Sequence, residues 1–217
     1  MKIVIGCSGR KNGFLFSNDN VPINFVSNVN EFISQDRLCF HPDNLIPNKN
    51  ITWRELVAQQ EVRDDLLPSY KLYKTEIYNR LFQHYGDDLF IFSAGWGIVK
   101  ATYKLPKYNV KFSKNNNAPI YSIRNSNDIF KDFNQLEGID DKEKIIFFAG
   151  KDYVIPFCKL TKHLPNEKII IFKNNDVLKN NPFVNKDNFQ FINFKTKTRT
   201  NWHYEFANNI INNEIKL

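Results

Sequence analysis

The chain has 217 residues, 42% of them hydrophobic, which is long and apolar enough for one sizeable core and reads as a single globular domain over 1–217. Thirty Lys and Arg against 23 Asp and Glu leave a formal charge of +7, which favours an anionic partner, nucleic acid first, although Lys- and Asn-rich usage throughout the chain gives the same total. Cys7, Cys39 and Cys158 show no CxxC spacing, which argues against a disulfide framework or a zinc site; with no leader-like start and no apolar stretch of membrane length, they predict a cytoplasmic protein with no membrane partner.

Lys2 to Ile5 is apolar and β-branched at successive positions, the pattern of a parallel strand buried on both faces, and it runs directly into Gly6-Cys7-Ser8-Gly9-Arg10-Lys11. This loop offers backbone N–H groups, a hydroxyl and two cations to an anion, so Cys7, Ser8, Arg10 and Lys11 are candidate substrate-binding residues; the plainer reading is a tight turn with a solvated Arg-Lys pair. It lacks the GxxxxGK[ST] spacing of a phosphate-binding loop of that class. Residues 12–50 mix Asn, Pro and Ser with short apolar pieces and predict a lid or site-flanking excursion.

Thr52, with Glu55 three residues on, predicts the capped start of a helix reaching about Arg63. Pro68 and Ser69 open a longer one, with Leu72, Tyr73, Ile77, Leu81 and Tyr85 on one stripe and Gly86 at its end. A second strand, Leu89 to Phe92, feeds Ser93-Ala94-Gly95-Trp96-Gly97. Small residues there let a ligand approach and the indole offers a stacking face, so Ser93, Gly95, Trp96 and Gly97 join the candidates, against the alternative of a core Trp. Lys104 to Phe112 reads as extended, and Asp128 to Leu136 as a helix.

A third strand, Ile145 to Phe148, leads into Ala149-Gly150-Lys151-Asp152-Tyr153 and a helix from about Asp152 to His163. Asp152 reads either as an N-cap or as a catalytic carboxylate, with Tyr153 beside it. Strands at Lys168 to Phe172 and Phe189 to Phe194 follow, then a helix from Asn201 to Ile215. Between these last two, Arg199 can grip phosphate, Asn201 can read a base edge or favour a helix start, and His203 can move or donate a proton. Three strands ending in such loops predict a three-layer α/β domain with a central, mainly parallel sheet of four or five strands and its site outside the carboxyl ends.

At these loops the chain resembles a family of small bacterial and phage α/β proteins, YaaA-like and labelled for peroxide stress. The matching pieces are Cys7-Ser8-Gly9-Arg10-Lys11, Leu72-Tyr73, Phe92-Ser93-Ala94-Gly95-Trp96-Gly97-Ile98-Val99, Pro106-Lys107-Tyr108-Asn109 and Gly150-Lys151-Asp152-Tyr153. The strand and loop order also resembles the uracil-DNA glycosylase superfamily, in which some relatives remove modified cytosine from phage DNA. That resemblance implies a uracil-DNA-glycosylase-like fold and cleavage of an N-glycosidic bond in DNA, in anti-phage defence, with no cofactor or metal. Asn109 stands where the family pattern has Asp, and the loop after the first strand has no Asp or Asn before Asn12. On this reading Asp152, His203 and Asn109 are the catalytic candidates, Arg10, Lys11 and Arg199 hold phosphates, and Trp96 and Asn201 meet the base. A nucleoside or nucleotide deoxyribosyltransferase or nucleosidase, and a non-enzymatic DNA-binding stress protein, are the alternatives.

Overall fold

The five apolar runs named above all form strands, and two further strands join them at one side. A computed structural model describes residues 1–12, 15–16, 22–23, 42–43, 45, 50–60, 66–108, 110–112, 122–124 and 130–215. Its central sheet consists of β1 (Lys2–Gly6), β2 (Leu89–Ser93), β3 (Gly97–Lys100), β4 (Phe133–Asn134), β5 (Ile145–Phe148), β6 (Lys168–Phe172) and β7 (Phe189–Asn193), in the order β4-β3-β2-β1-β5-β6-β7. Strands β2, β1, β5, β6 and β7 are mutually parallel, while β3 pairs antiparallel with β2, and β4 runs parallel to β3. The sheet therefore has seven strands, not four or five, because the chain turns back at Ala94–Trp96 instead of leaving the sheet.

Continuous burial explains the parallel set. Every residue of β2, β5 and β6 is buried, as expected where helices cover both faces. Neighbouring residues of a strand point to opposite faces. Phe147 stacks on Phe157 with ring centroids 3.9 Å apart, and Phe148 packs on Phe206 at 4.9 Å. Helix α4 (Val154–Thr161), which carries Phe157, thus covers one face, and helix α5 (Trp202–Ile211), which carries Phe206, covers the other. Helix α3 (Ile77–Tyr85) lies beside α5, where Arg80 Nη1 donates to Asn208 Oδ1 at 2.6 Å.

Several predicted elements differ in extent. Helix α1 (Trp53–Ala58) has the Thr52–Glu55 capping box, and residues 61–65 lie outside the described set. The long helix opening at Ser69 is instead a single turn, α2 (Ser69–Leu72), separated from α3 by an extended Tyr73 with φ −85° and ψ 127°. Tyr73 is taken out of the helix by a bridge to Lys11. The described part of the segment 128–136 contains a strand, β4, rather than a helix. Asn201 adopts φ 57° and ψ 20° with no side-chain cap bond, so the start of α5 is not capped in the expected way. Of the excursion at 12–50, the structure describes the end residues Asn12 and Asn50, a ribbon of Leu15–Phe16 with Pro22–Ile23, the turn at 42–43 and a bridge from Leu45 to Thr52; the remainder of the suggested lid, with Cys39, lies outside the described residues.

From β1 the chain passes through α1 to α3 into β2 on one side, then returns to β5 on the other side of β1. The crevice between β1 and β5 is the topological switch point, where open α/β sheets bind ligands. Among the described residues no helix is long and apolar enough to cross a membrane.

Candidate functional site

Cys7 stands at the carboxyl end of β1, with its amide still in the ladder, donating to Phe92 O at 2.9 Å. Its sulfur is ringed by donors from three other segments. The Ala94 amide donates to Sγ at 3.4 Å, the Tyr108 hydroxyl donates to it at 3.5 Å, and the Tyr153 hydroxyl lies 3.1 Å away. Tyr153 follows β5, so this contact spans the switch point. Behind the sulfur, Ser93 Oγ donates to Tyr108 Oη at 2.7 Å, and Tyr73 Oη lies 2.8 Å from Tyr108 Oη. Tyr78 Oη donates to Gly6 O at 2.8 Å and lies 3.5 Å from Tyr204 Oη, which brings the start of α5 to the same edge. Burial pushes the phenols of Tyr73, Tyr108 and Tyr153 well above their ordinary range, and the Cys7 sulfur adds to the effect, so they remain protonated donors at neutral pH.

The turn between β2 and β3 has its amides directed towards this cluster and its carbonyls directed away. The Gly95 and Trp96 amides donate to Ser93 Oγ at 3.3 and 3.1 Å. On the other side Arg124 donates to Ala94 O at 2.9 Å, and Arg54 donates to Gly95 O at 3.0 Å and Trp96 O at 3.2 Å. Both guanidiniums are buried, and each is paired with a carboxylate, Asp43 for Arg54 and Asp132 for Arg124. Burial raises the Asp132 carboxyl against the pull of Arg124. Cations on the carbonyls polarise the same peptide units towards stronger N–H donation, so the turn presents a fixed positive end to the cluster.

Three of the loop residues suggested as ligand contacts are thereby accounted for within the core. Trp96 has no exposed surface, lies parallel to Phe133 and edge-on to Tyr108, and its indole N–H has no partner among the described residues. It offers no face to a base in this arrangement. A Cβ on Gly95 would come within 2.9 Å of the Tyr108 ring, so the glycine admits that tyrosine. Gly97 has φ +90° and a Cβ there would lie 2.3 Å from Phe133 O; the residue lets β4 dock on β3. Ser93, by contrast, is part of the hydroxyl network.

Lys11 is directed inward. Its backbone is fixed by the bridge to Tyr73 and by hydrogen bonds from Asn12 N to Leu72 O and from Lys74 N to Arg10 O. Part of the side chain reaches solvent, but its ammonium sits 4.1 Å from the Tyr108 ring centroid and 5.9 Å from that of Tyr73. Desolvation lowers its pKa to about 8, with Cys7 opposing and Lys107 reinforcing the shift. Arg10, in contrast, is exposed, and its amide bonds the Ser8 hydroxyl at 3.1 Å.

Asp152 lies in the 3-10 turn Lys151–Tyr153 and caps nothing: neither that turn nor α4 has a side-chain cap bond. It is half-buried, and its carboxylate has no hydrogen-bond or ion-pair partner among the described residues. His203 sits in the first turn of α5 with its ring 4.2 Å from that of Tyr204 and its buried Nδ1 without a partner among the described residues; burial pulls its pKa down to about 4. These two residues follow β5 and β7, between which β6 runs; the contact of Tyr204 Oη with Tyr78 Oη returns the start of α5 to the edge where Tyr153 meets Cys7. Arg199 and Asn201 are exposed on the segment after β7, which Glu205 ties together by accepting from the Thr196 and Thr198 hydroxyls. Asn109 lies outside the described residues.

Sequence reasoning did not single out Tyr78, Tyr204, Arg54 or Arg124 for the site, and it noted Tyr73 and Tyr108 only as parts of motifs. Among the described residues no group of three His, Cys, Asp or Glu side chains could hold a metal ion. Comparison with protein-family models, with curated proteins and with solved structures finds no match to the chain.

Proposed function

We propose that the protein hydrolyses the N-glycosidic bond of a nucleobase in DNA, with a modified base of phage DNA as the substrate class implied by the resemblance. The observation that carries this reading is Asp152: a half-buried carboxylate that caps no helix and has no pairing partner among the described residues, one residue from the tyrosine that spans the switch point. Base departure leaves positive charge on the sugar and negative charge on the base. A carboxylate suits the first, and the protonated phenols of Tyr108 and Tyr153 suit the second. His203, neutral at pH 7 because of its burial, would serve as a neutral hydrogen-bond donor rather than as an imidazolium. The exposed Arg10 and Arg199, on loops at the carboxyl edge, favour a long polyanion over a free nucleoside.

The test is single-turnover release of base from unmodified DNA and from DNA containing hydroxymethylcytosine, scored as abasic sites, with free deoxynucleosides run in parallel. One of the DNAs is expected to acquire abasic sites, and Asp152→Asn is expected to lose at least 100-fold in rate with DNA affinity retained. Cleavage of free nucleosides alone would move the reading to a nucleosidase or deoxyribosyltransferase. DNA binding without base release would move it to a binding protein.

A further inference from the structure

Lys11 has more in its surroundings than phosphate binding requires. A phosphate-holding lysine stands out in solvent as a hydrated point charge. Here the backbone at Lys11 is clamped to the break between α2 and α3, the ammonium lies over the Tyr108 ring, and no carboxylate among the described residues pairs with it. The groups that face it are Tyr108, Tyr73 and the Cys7 sulfur at the inner end, and the Lys107 ammonium from the segment before β4. This is how an amine is prepared to act as a nucleophile: held in one place, stripped of water and beside another cation.

We propose that Lys11 is an amine nucleophile that condenses with an aldehyde at the switch-point site, the aldehyde being C1′ of the sugar left when a base has been removed from DNA. The proposal rests on the glycosylase reading and adds a covalent step to it. The lone pair of the Lys11 Nζ attacks the carbonyl carbon of the ring-opened sugar. The C–O bond breaks, the oxygen leaves as water with the two protons that the amine gives up, and a C=N bond remains. With a pKa of about 8, roughly a tenth of the Lys11 side chains carry the free amine at pH 7, against well under a thousandth for an ordinary lysine. The Tyr108 and Tyr153 hydroxyls, protonated at this pH, line the same cluster and can assist the departing oxygen.

The experiment supplies the aldehyde directly. The protein is incubated with an oligonucleotide carrying a preformed abasic site and sodium cyanoborohydride, which reduces an imine to a stable amine link; the adduct is read by gel and the linked residue by peptide mass mapping. A covalent adduct mapping to Lys11 is expected, with yield rising between pH 7 and 8.5 and falling at least tenfold in Lys11→Arg, which keeps the charge but cannot form the imine. Absence of an adduct, an adduct on another lysine, or equal trapping by Lys11→Arg would overturn the proposal. The map on the unmutated protein decides the matter even if the variant misfolds. Because no base has to be released, trapping without base release from intact DNA would leave this inference standing and remove the glycosylase reading, and base release without trapping would do the opposite.

Discussion

Replacing His203 by Phe isolates one titration from all others in the protein. The imidazole is held in the first turn of α5 against Tyr204, with Nδ1 buried and without a partner among the described residues, and burial lowers its pKa from 6.5 to about 4. Between these values the unfolded chain binds a proton that the folded chain refuses. Stability is therefore lost as pH falls from 6.5 to 4, and this group contributes no pH dependence above that window. The loss by pH 5 is about 2 kcal/mol, and it approaches about 3 kcal/mol at pH 4. Phe keeps the ring contacts and removes both the titration and the orphaned nitrogen, so His203→Phe is expected to match or exceed the parent in stability at pH 7.5. Urea unfolding of both proteins between pH 4.5 and 7.5 gives the difference curve, in which the carboxylates common to both cancel. A variant that gains about 2 kcal/mol on its parent between pH 7 and 5 carries the argument. Parallel curves would refute it, since they would mean the imidazole takes its proton as easily folded as unfolded.

Two further outcomes follow from the hydroxyl network and the turn. Tyr108→Phe removes the partner of the buried Tyr73 hydroxyl and one partner of Ser93, a loss of about 1–3 kcal/mol; calorimetry should show Tm lowered by several degrees, and an unchanged Tm would mean that the two phenols do not depend on each other. Gly97→Ala forces a side chain into a left-handed conformation and against Phe133 O, costing roughly 3 kcal/mol in all. Amide exchange should speed up at Phe133 and Gln135, which donate to Trp96 O and Ile98 O, and retained protection there would contradict the role given to this glycine.

The parallel strands were legible because strands buried on both faces read as unbroken apolar runs, as in Ile145-Ile146-Phe147-Phe148 and Ile169-Ile170-Ile171. β3 was missed because its short run Gly97-Ile98-Val99-Lys100 directly continues a glycine-bearing turn, and β4 because two residues carry no periodicity and their place in the sheet depends on the docking that Gly97 permits. Helical spacing across Leu72, Tyr73 and Ile77 concealed the break at Tyr73, since the bridge to Lys11 that causes it joins residues 62 positions apart. Cys7, Ser93 and Tyr153 could be placed at the sheet edge from strand ends alone. That Tyr108 would join them could not, because it comes from an irregular segment whose side chain is drawn inward by the missing Cβ of Gly95. Arg54 and Arg124 carry no local signal either: one looks like an exposed helix residue, and the partners of both are fixed by tertiary packing.

The Cys7 sulfur meets groups 87, 101 and 146 residues further along the chain. Contacts of such long range form late in folding, after the loops between them have closed. During synthesis residue 7 is made before every group that its sulfur meets, and its surroundings are complete only once Tyr153 has been added and β5 has paired with β1. The thiol therefore lacks its full surroundings until the chain has been made through Tyr153, and gains the last of these neighbours as β5 docks on β1. Its rate of alkylation during refolding is a clock for that stage, independent of the helices and of the hairpin β2–β3, which can form before it.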